Sequence, residues 1–182
     1  LKLCGMGLPI GLQYSITAIG SVILQTAVND MGSTYVAAVS AGSKISMFMC
    51  CPFDAMGSTM ATYGGQNVGA RRLDRVDQGL KACIKMGIIY ALVALAFSIV
   101  FGKQLALLFV KKEQIELIGY IYEFVVIKAA FYIFLALVNI VRFMIQGLGY
   151  STFAILAGIC EMIARSVAGF VLVPHFGFIC VS

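Results

Sequence analysis

The side chains most able to do chemistry in this sequence are ionisable residues inside long apolar segments. Glu161 and Arg165 stand four positions apart, which places both on one face of a helix. Asp54 follows Pro52 by two positions, where a proline frees backbone carbonyl groups that can help a carboxylate to hold a cation or a proton. We predict an ion- or substrate-binding role for all three charged residues. The alternatives are a structural Glu161–Arg165 pair and a solvated Asp54 near the membrane surface.

Uncharged polar side chains in the same apolar segments are a second group of candidates. The first segment carries Gln13, Tyr14 and Gln25, and Asn139 lies one turn before Arg142 in a later segment. Because hydrocarbon offers no hydrogen-bonding partner, these groups must face other helices or a cavity. Ligand binding and hydrogen bonding between helices are both compatible with these positions.

Metal, redox and enzymatic chemistry are not expected from the residues present. The six cysteines show no C-x-x-C spacing, and the single histidine, His175, lies in a Pro-His-Phe-Gly stretch. The sequence contains neither H-E-x-x-H nor G-x-S-x-G. We therefore predict that the protein is not an enzyme and has no metal site and no cofactor.

The composition indicates a polytopic helical membrane protein. Hydrophobic residues make up 61% of the chain, charged residues 12%, and the mean hydropathy is +0.98. A soluble domain has about 25% charged residues, so this chain cannot cover a water-facing surface. The long unbroken apolar runs also differ from the short alternating strands of a β-barrel. Since basic residues cluster at segment ends, the net charge of +5 predicts orientation in the bilayer and not nucleic-acid binding.

The apolar runs predict an all-α transmembrane bundle with five full membrane helices and the start of a sixth. Pro52 is expected to bend the second helix. The short turn at 146–151 predicts that the fourth and fifth helices are antiparallel neighbours. The predicted segments are Leu3–Val28, Tyr35–Tyr63, Met86–Val110, Leu117–Ile145, Thr152–Val173 and, at the end, Phe178–Ser182.

Basic residues predict the orientation of this bundle. A loop over Gly64–Gln78 holds Arg71, Arg72 and Arg75, whereas the first turn, at 29–33, has no basic residue. The arginine-rich loop is therefore expected on the cytoplasmic side of the plasma (inner) membrane, in a multi-pass protein. The chain starts at Leu1 and stops inside a new apolar run, which suggests a fragment of a longer protein.

The second segment ends in residues that resemble a known family signature. Residues 65–70 are GQNVGA, followed by RR at 71–72 and DR at 74–75. This resembles the G-Q-N-x-G-A…D-R element of the MATE family of multidrug and toxin exporters. Residues 7–10, 24–29, 146–149 and 161–165 continue the similarity in the same order. By this resemblance we expect structural or gating roles for Gly65, Gln66, Asn67 and Gly69. Pro52 is expected to have such a role through its bend.

The resemblance implies a transporter built from two six-helix lobes with a substrate cavity between them. Residues 1–182 would form the second lobe, without most of its sixth helix. The implied function is antiport of cationic or amphipathic small molecules against sodium ions or protons. For the carboxylate that binds the coupling ion, we expect Glu161. The implied partners are such a substrate, the lipid bilayer and the missing first lobe. Some branches carry a carboxylate in the first helix of this lobe, or an acid in the fourth deeper than Glu123; this sequence has neither, which weakens the case for that type of sodium site.

A flippase or exporter of lipid-linked saccharides with a related helical plan is the alternative function. Such a protein would need basic residues in its cavity to hold a pyrophosphate group. Lys44, Lys128 and Arg165 lie within apolar segments and are compatible with that requirement.

Overall fold

Six α-helices make up the part of the chain that the structure, a computed structural model, describes: residues 2–29, 32–110, 114–150 and 152–167. The predicted all-α class is therefore confirmed, and no strand occurs within these residues. The helices are α1 (Lys2–Asn29), α2 (Ser33–Gly69), α3 (Leu73–Ala106), α4 (Ile115–Ala130), α5 (Tyr132–Gly147) and α6 (Thr152–Val167).

Three of these helices are long and apolar enough to cross a membrane: α1 over Gly7–Thr26, and α2 and α3 over their full lengths. Helices α4 and α5 meet at an angle of 52° and pass the same test together, which raises the count to four if they form one span. The described part of α6 has 16 residues. The predicted number of five full spans therefore stays a prediction, and residues 178–182 lie outside the described residues.

The predicted fourth segment, Leu117–Ile145, is wrong as one continuous helix. The helix is interrupted at Phe131, between α4 and α5. The backbone N–H of Phe131 donates a hydrogen bond of 3.1 Å to the carbonyl oxygen of Lys128. This short-range bond tightens the last turn of α4. The sequence has neither proline nor glycine at this position, so local propensity offers no warning of the break.

The predicted loop Gly64–Gln78 is also wrong, because α2 continues to Gly69 and α3 starts at Leu73. The intervening turn places Arg71 in the left-handed region, with φ 56°. The N–H groups of Arg71 and Arg72 bond to the carbonyl oxygens of Val68 and Asn67 at 3.0 and 2.8 Å. This pair of bonds is a Schellman motif, which satisfies the last carbonyl groups of a helix. The family-like GQNVGA stretch is therefore a helix end and not a loop.

Helix α2 runs without interruption through Pro52. Proline has no N–H, so the carbonyl group of Phe48 lacks its usual donor in the helix. The next carbonyl along, that of Met49, accepts a hydrogen bond of 3.0 Å from the Tyr90 hydroxyl of α3. This contact attaches α3 to α2 at the proline. The expected bend at Pro52 stays a prediction.

The helices pack in two groups. In the first group α2 contacts α3, α4 and α5, and in the second group α1 packs mainly against α6. The fourth and fifth predicted segments were expected to be neighbours, and in the described residues α5 and α6 contact each other only slightly. Fully buried side chains in the first group include Phe53, Ile121, Phe124, Tyr132 and Ile140.

The crossing of α2 and α5 near their ends requires small residues. A Cβ atom on Gly147 would lie 2.3 Å from the carbonyl oxygen of Ala61, and one on Gly65 would lie 3.0 Å from the carbonyl oxygen of Gly147. Neither distance can be relieved by rotating a side chain, because the atoms approached belong to the backbone. Gly65, which the family resemblance singles out, thus has a packing role.

We predict that Gly147→Ala destabilises the full-length protein by about 1–3 kcal/mol, the usual cost of overpacking. The Ala61 carbonyl group cannot move away without disturbing α2. Thermal unfolding in detergent measures the effect. Gly119→Ala on α4 is the matched control, because a Cβ atom there meets nothing within 4 Å. Equal melting temperatures for both variants would contradict the tight crossing.

Candidate functional site

Glu161 lies between two guanidinium groups. Arg165 Nη2 donates a hydrogen bond of 2.6 Å to Glu161 Oε1, and Arg142 Nη1 lies 3.7 Å from Glu161 Oε2. The Thr17 hydroxyl of α1 donates to Oε2 at 3.4 Å. The predicted Glu161–Arg165 pairing on one helix face is thus present. The second arginine, on α5, was not among the predicted site residues.

The contacts of Arg142 extend this arrangement to α2. Arg142 Nη2 donates to Asn139 Oδ1 at 3.0 Å, and Asn139 Nδ2 donates to Asp54 Oδ1 at 3.1 Å. We call Asp54, Asn139, Arg142, Glu161 and Arg165 the charged network. Its two carboxylates balance its two guanidinium groups, so the set is electrically neutral. Four of these five residues were predicted from the sequence.

The helices fix the geometry of the charged network. Asn139 and Arg142 are three positions apart on α5, and Arg165 also donates to the Ser21 hydroxyl of α1. The guanidinium carbon of Arg142 lies 5.4 Å from the centre of the Phe143 ring, a distance typical of cation–π contacts. These contacts connect α1, α2, α5 and α6.

A second polar contact joins α1 to α5 beside the charged network. Gln146 Nε2 donates to Gln13 Oε1 at 2.9 Å, and the two side chains are only 8% and 3% exposed. Gly158 lets α6 approach here, since a Cβ atom on it would lie 3.0 Å from the Gln13 side chain. Gln13 was predicted as a candidate. Gln146 was missed because the sequence placed it in a turn.

The remaining predicted residues lie apart from these contacts. The Tyr14 side chain is 58% exposed, and Gln25 donates to Asn29 one turn along α1 at 3.3 Å. At the end of α2, Asn67 Nδ2 donates to the Tyr63 carbonyl at 2.8 Å, and the Gln66 carbonyl accepts the Ala70 N–H. A Cβ atom on Gly69 would meet nothing within 4 Å, so packing does not require glycine there.

The exposed faces of α2 and α3 differ in polarity. On α3 the exposed side chains are apolar over several turns, including Met86, Ile89, Leu92, Val93 and Val100. A second set of exposed side chains, which we call the α2 stripe, follows one face of α2 and consists of Lys44, Cys51, Asp54, Ser58, Thr59, Thr62 and Gln66. The exposed apolar side chains of Met47 and Phe48 interrupt it between Lys44 and Cys51. The α3 face suits lipid, whereas the charges of the α2 stripe do not.

Helix α2 carries this stripe across a full membrane thickness. Its 37 residues extend about 55 Å, more than the roughly 30 Å of a hydrocarbon core. Asp54 lies three residues from Cys51, the midpoint of α2. The predicted second segment ended at Tyr63, whereas α2 continues to Gly69, so Asp54 lies nearer the middle of the helix than predicted. Within the described residues, no three His, Cys, Asp or Glu side chains converge as metal ligands would.

We predict that the contacts of Glu161 contribute to stability through both arginines. A double-mutant cycle of Glu161→Gln with Arg165→Gln should give a coupling energy within the roughly 0.5–3 kcal/mol range of contacting residues. The cycle with Arg142→Gln should give a smaller value, because its distance to Glu161 is 3.7 Å and not 2.6 Å. Thermal unfolding of the four full-length proteins of each cycle measures both values. Coupling energies near zero in both cycles would contradict the network.

Solved structures share this fold over almost the whole chain. An outward-facing multidrug resistance MATE family transporter of the MOP superfamily matches with a TM-score of 0.86 and 15% identity, covering 99% of this chain and 40% of that one. A MATE structure in complex with MaL6 matches with a TM-score of 0.86 and 19% identity, covering 99% and 42%. A MOP superfamily transporter from Pyrococcus furiosus, described for the reverse polarity of its binding pocket, gives the same score at 15% identity, covering 99% and 40%.

Sequence comparison points to the same family. A probable multidrug resistance protein, YoeA of Bacillus subtilis (strain 168), is 22% identical over 109 residues, which are 60% of this chain and 24% of that protein. This chain therefore spans about a quarter of that relative and about 40% of the solved structures. Nothing in these matches supports the lipid-linked saccharide alternative. The MatE family model matches residues 9–171, which is most of the chain, and the chain belongs to the MatE family of membrane transporters.

Proposed function

We propose that the complete protein is a secondary antiporter that exports cationic or amphipathic small molecules in exchange for sodium ions or protons. Family membership supports a multi-pass transporter that acts on small molecules. We further propose that it acts in the plasma membrane and that this chain forms its second lobe, with the substrate bound between this lobe and the first. The lipid bilayer is the other partner of the lobe.

The exposed polar side chains of the α2 stripe are the main support for the proposed transport passage. Lys44 and Asp54 are both exposed on this stripe, and charged groups are costly in lipid. The cost disappears where the stripe lines a water-filled passage between two lobes. The apolar face of α3 then meets the lipid. A passage whose wall is polar from Asp54 to Gln66 and apolar at Met47 and Phe48 suits substrates that carry both charged and apolar groups.

Asp54 is our choice for the carboxylate that binds the coupling ion. Its described polar contact is the neutral amide of Asn139, whereas Glu161 already contacts two guanidinium groups. A sodium ion at Glu161 would have to displace an arginine, but one at Asp54 would not. The sequence favoured Glu161 for this role; the second arginine shifts our proposal to Asp54 and gives Glu161 the task of holding Arg142 and Arg165 in place.

Coupling follows from the position of Asp54 near the middle of α2. A proton or sodium ion on Asp54 changes its attraction for Asn139, and through Asn139 the position of Arg142. The bound ion can shift the balance between inward- and outward-open states only by the difference in its affinity for the two states. Rocking of the lobes would change the contacts of Arg142 with α6. The affinity of Asp54 for the ion would then differ between the two states.

We predict that Asp54→Asn in the full-length protein abolishes export driven by a sodium or proton gradient but preserves expression and substrate binding. The amide keeps the size of the side chain and removes its charge. Efflux from proteoliposomes under an imposed gradient measures transport. Asp77→Asn is the matched control, because Asp77 is an exposed partner of Lys81 near the start of α3.

Four results separate the possible outcomes. Loss of gradient-driven efflux in Asp54→Asn alone supports the proposed role of Asp54. Loss in Glu161→Gln with normal efflux in Asp54→Asn would return the coupling role to Glu161. Normal efflux in both variants would contradict coupling at the charged network, and absence of any gradient-driven efflux in the unmodified protein would contradict antiport itself.

A further inference from the structure

Lysines mark both ends of the exposed apolar face of α3, and the proposed antiport does not use them. On this helix every exposed side chain from Met86 to Phe101 is apolar. Lys85 stands before this run and Lys103 after it, and both are exposed. The two lysines are 18 positions apart, which is about 27 Å along a helix and close to the roughly 30 Å of a hydrocarbon core. Lys85 therefore lies where α3 leaves the hydrocarbon.

The same side of α3 continues beyond Lys85 to Arg75. Arg75 and Val93 are 18 positions apart, which is five helical turns, so they lie on one line along α3. Val93 is 59% exposed on the apolar face. The backbone at Arg75 is held by α2, because its carbonyl oxygen accepts a hydrogen bond of 3.2 Å from the Tyr63 hydroxyl. The exposed side chain of Arg75 thus stands above the apolar face of α3.

The basic side chains at this end of α3 are mostly unpaired. Lys81 forms an ion pair of 2.6 Å with Asp77. In the described part of the chain, no carboxylate oxygen lies within 4 Å of the remaining basic side chains, which are all exposed and which we call the basic patch: Arg71, Arg72, Arg75 and Lys85. Asp74 is the other acidic residue here. Residues 71–85 contain five basic and two acidic residues, so their net charge is +3.

The position of the basic patch decides which anion fits it. A phospholipid can place its acyl chains against Met86 and Ile89 and its phosphate beside Lys85. Arginine and lysine are the side chains that bind phosphate groups best. A soluble anion would meet the charges but would gain nothing from the apolar face. A zwitterionic lipid would leave the net charge of +3 uncompensated, whereas an anionic lipid offsets it.

We propose that the basic patch binds the headgroup of an anionic phospholipid whose acyl chains lie along the apolar face of α3. Lys85, which is nearest to the hydrocarbon, contacts the phosphate group. The three arginines lie farther out and attract anionic headgroups to the same membrane surface. This surface is separate from Asp54, so the proposal stands whether or not the proposed antiport is correct.

Thermal unfolding of the full-length protein in mixed micelles tests the proposal without any transport assay. Phosphatidylglycerol is compared with phosphatidylcholine of the same acyl chains and molar ratio, so that only the headgroup differs. We expect phosphatidylglycerol to raise the melting temperature by about 2–4 °C more than phosphatidylcholine, in a saturable manner, and by less at high salt. Replacing all four residues of the basic patch by glutamine should remove this difference.

Lys103→Gln is the matched control, because Lys103 lies on the same line of α3 as Lys85 but at the other end of the apolar run. This variant should retain the difference between the two lipids. The single variant Lys85→Gln keeps the test decisive if the fourfold variant fails to insert. It should need a several-fold higher fraction of phosphatidylglycerol for half of the effect.

Four results would overturn the proposal. The first is an equal melting temperature of the unmodified protein in both lipids. The second is a lipid difference that the fourfold variant retains or, if that variant fails to insert, one that Lys85→Gln leaves unchanged. The third is loss of the difference in Lys103→Gln, which would place the lipid at the other end of α3. The fourth is an equal rise with glycerol phosphate alone, because that result indicates a site for a soluble anion.

Discussion

The scarcity of hydrogen-bonding partners in hydrocarbon is the constraint on which this structure depends. Glu161 meets it by contacting two arginines, one on its own helix and one on α5. Arg142 continues the contacts to Asn139, and Asn139 continues them to Asp54 on α2. Removing one member would leave a charge at membrane depth without its partner, which costs far more than the net value of the pair. The charged network therefore constrains where four helices can lie.

Two groups of helices are held together by these contacts. Helices α2 to α5 pack through apolar residues such as Phe53 and Ile140, and α1 packs with α6. Between the groups, direct helix contact is slight, and the Arg142–Glu161 and Gln146–Gln13 contacts join them.

The sequence predicted what depends on local spacing. The pairing of Glu161 with Arg165 follows from four positions on one helix, and the all-α class follows from the long apolar runs. It did not predict Arg142 or Gln146 as site residues, because their partners are on other helices and only the packing brings them together. The break at Phe131 was also missed, since its cause is not a proline or a glycine in the chain. The glycines of GQNVGA suggested a loop, but Gly65 serves a close helix crossing instead.

The proposed function depends most directly on water reaching the exposed face of α2. Single cysteines at Ser58 and Thr62, in a full-length protein without its native cysteines, measure this with a membrane-impermeant thiol reagent. A cysteine at Leu92, exposed on α3, is the lipid-facing control. The account predicts that both α2 positions react, that substrate slows their reaction, and that position 92 reacts only with a membrane-soluble reagent. If the α2 positions behave like position 92, the stripe faces lipid and the account is contradicted.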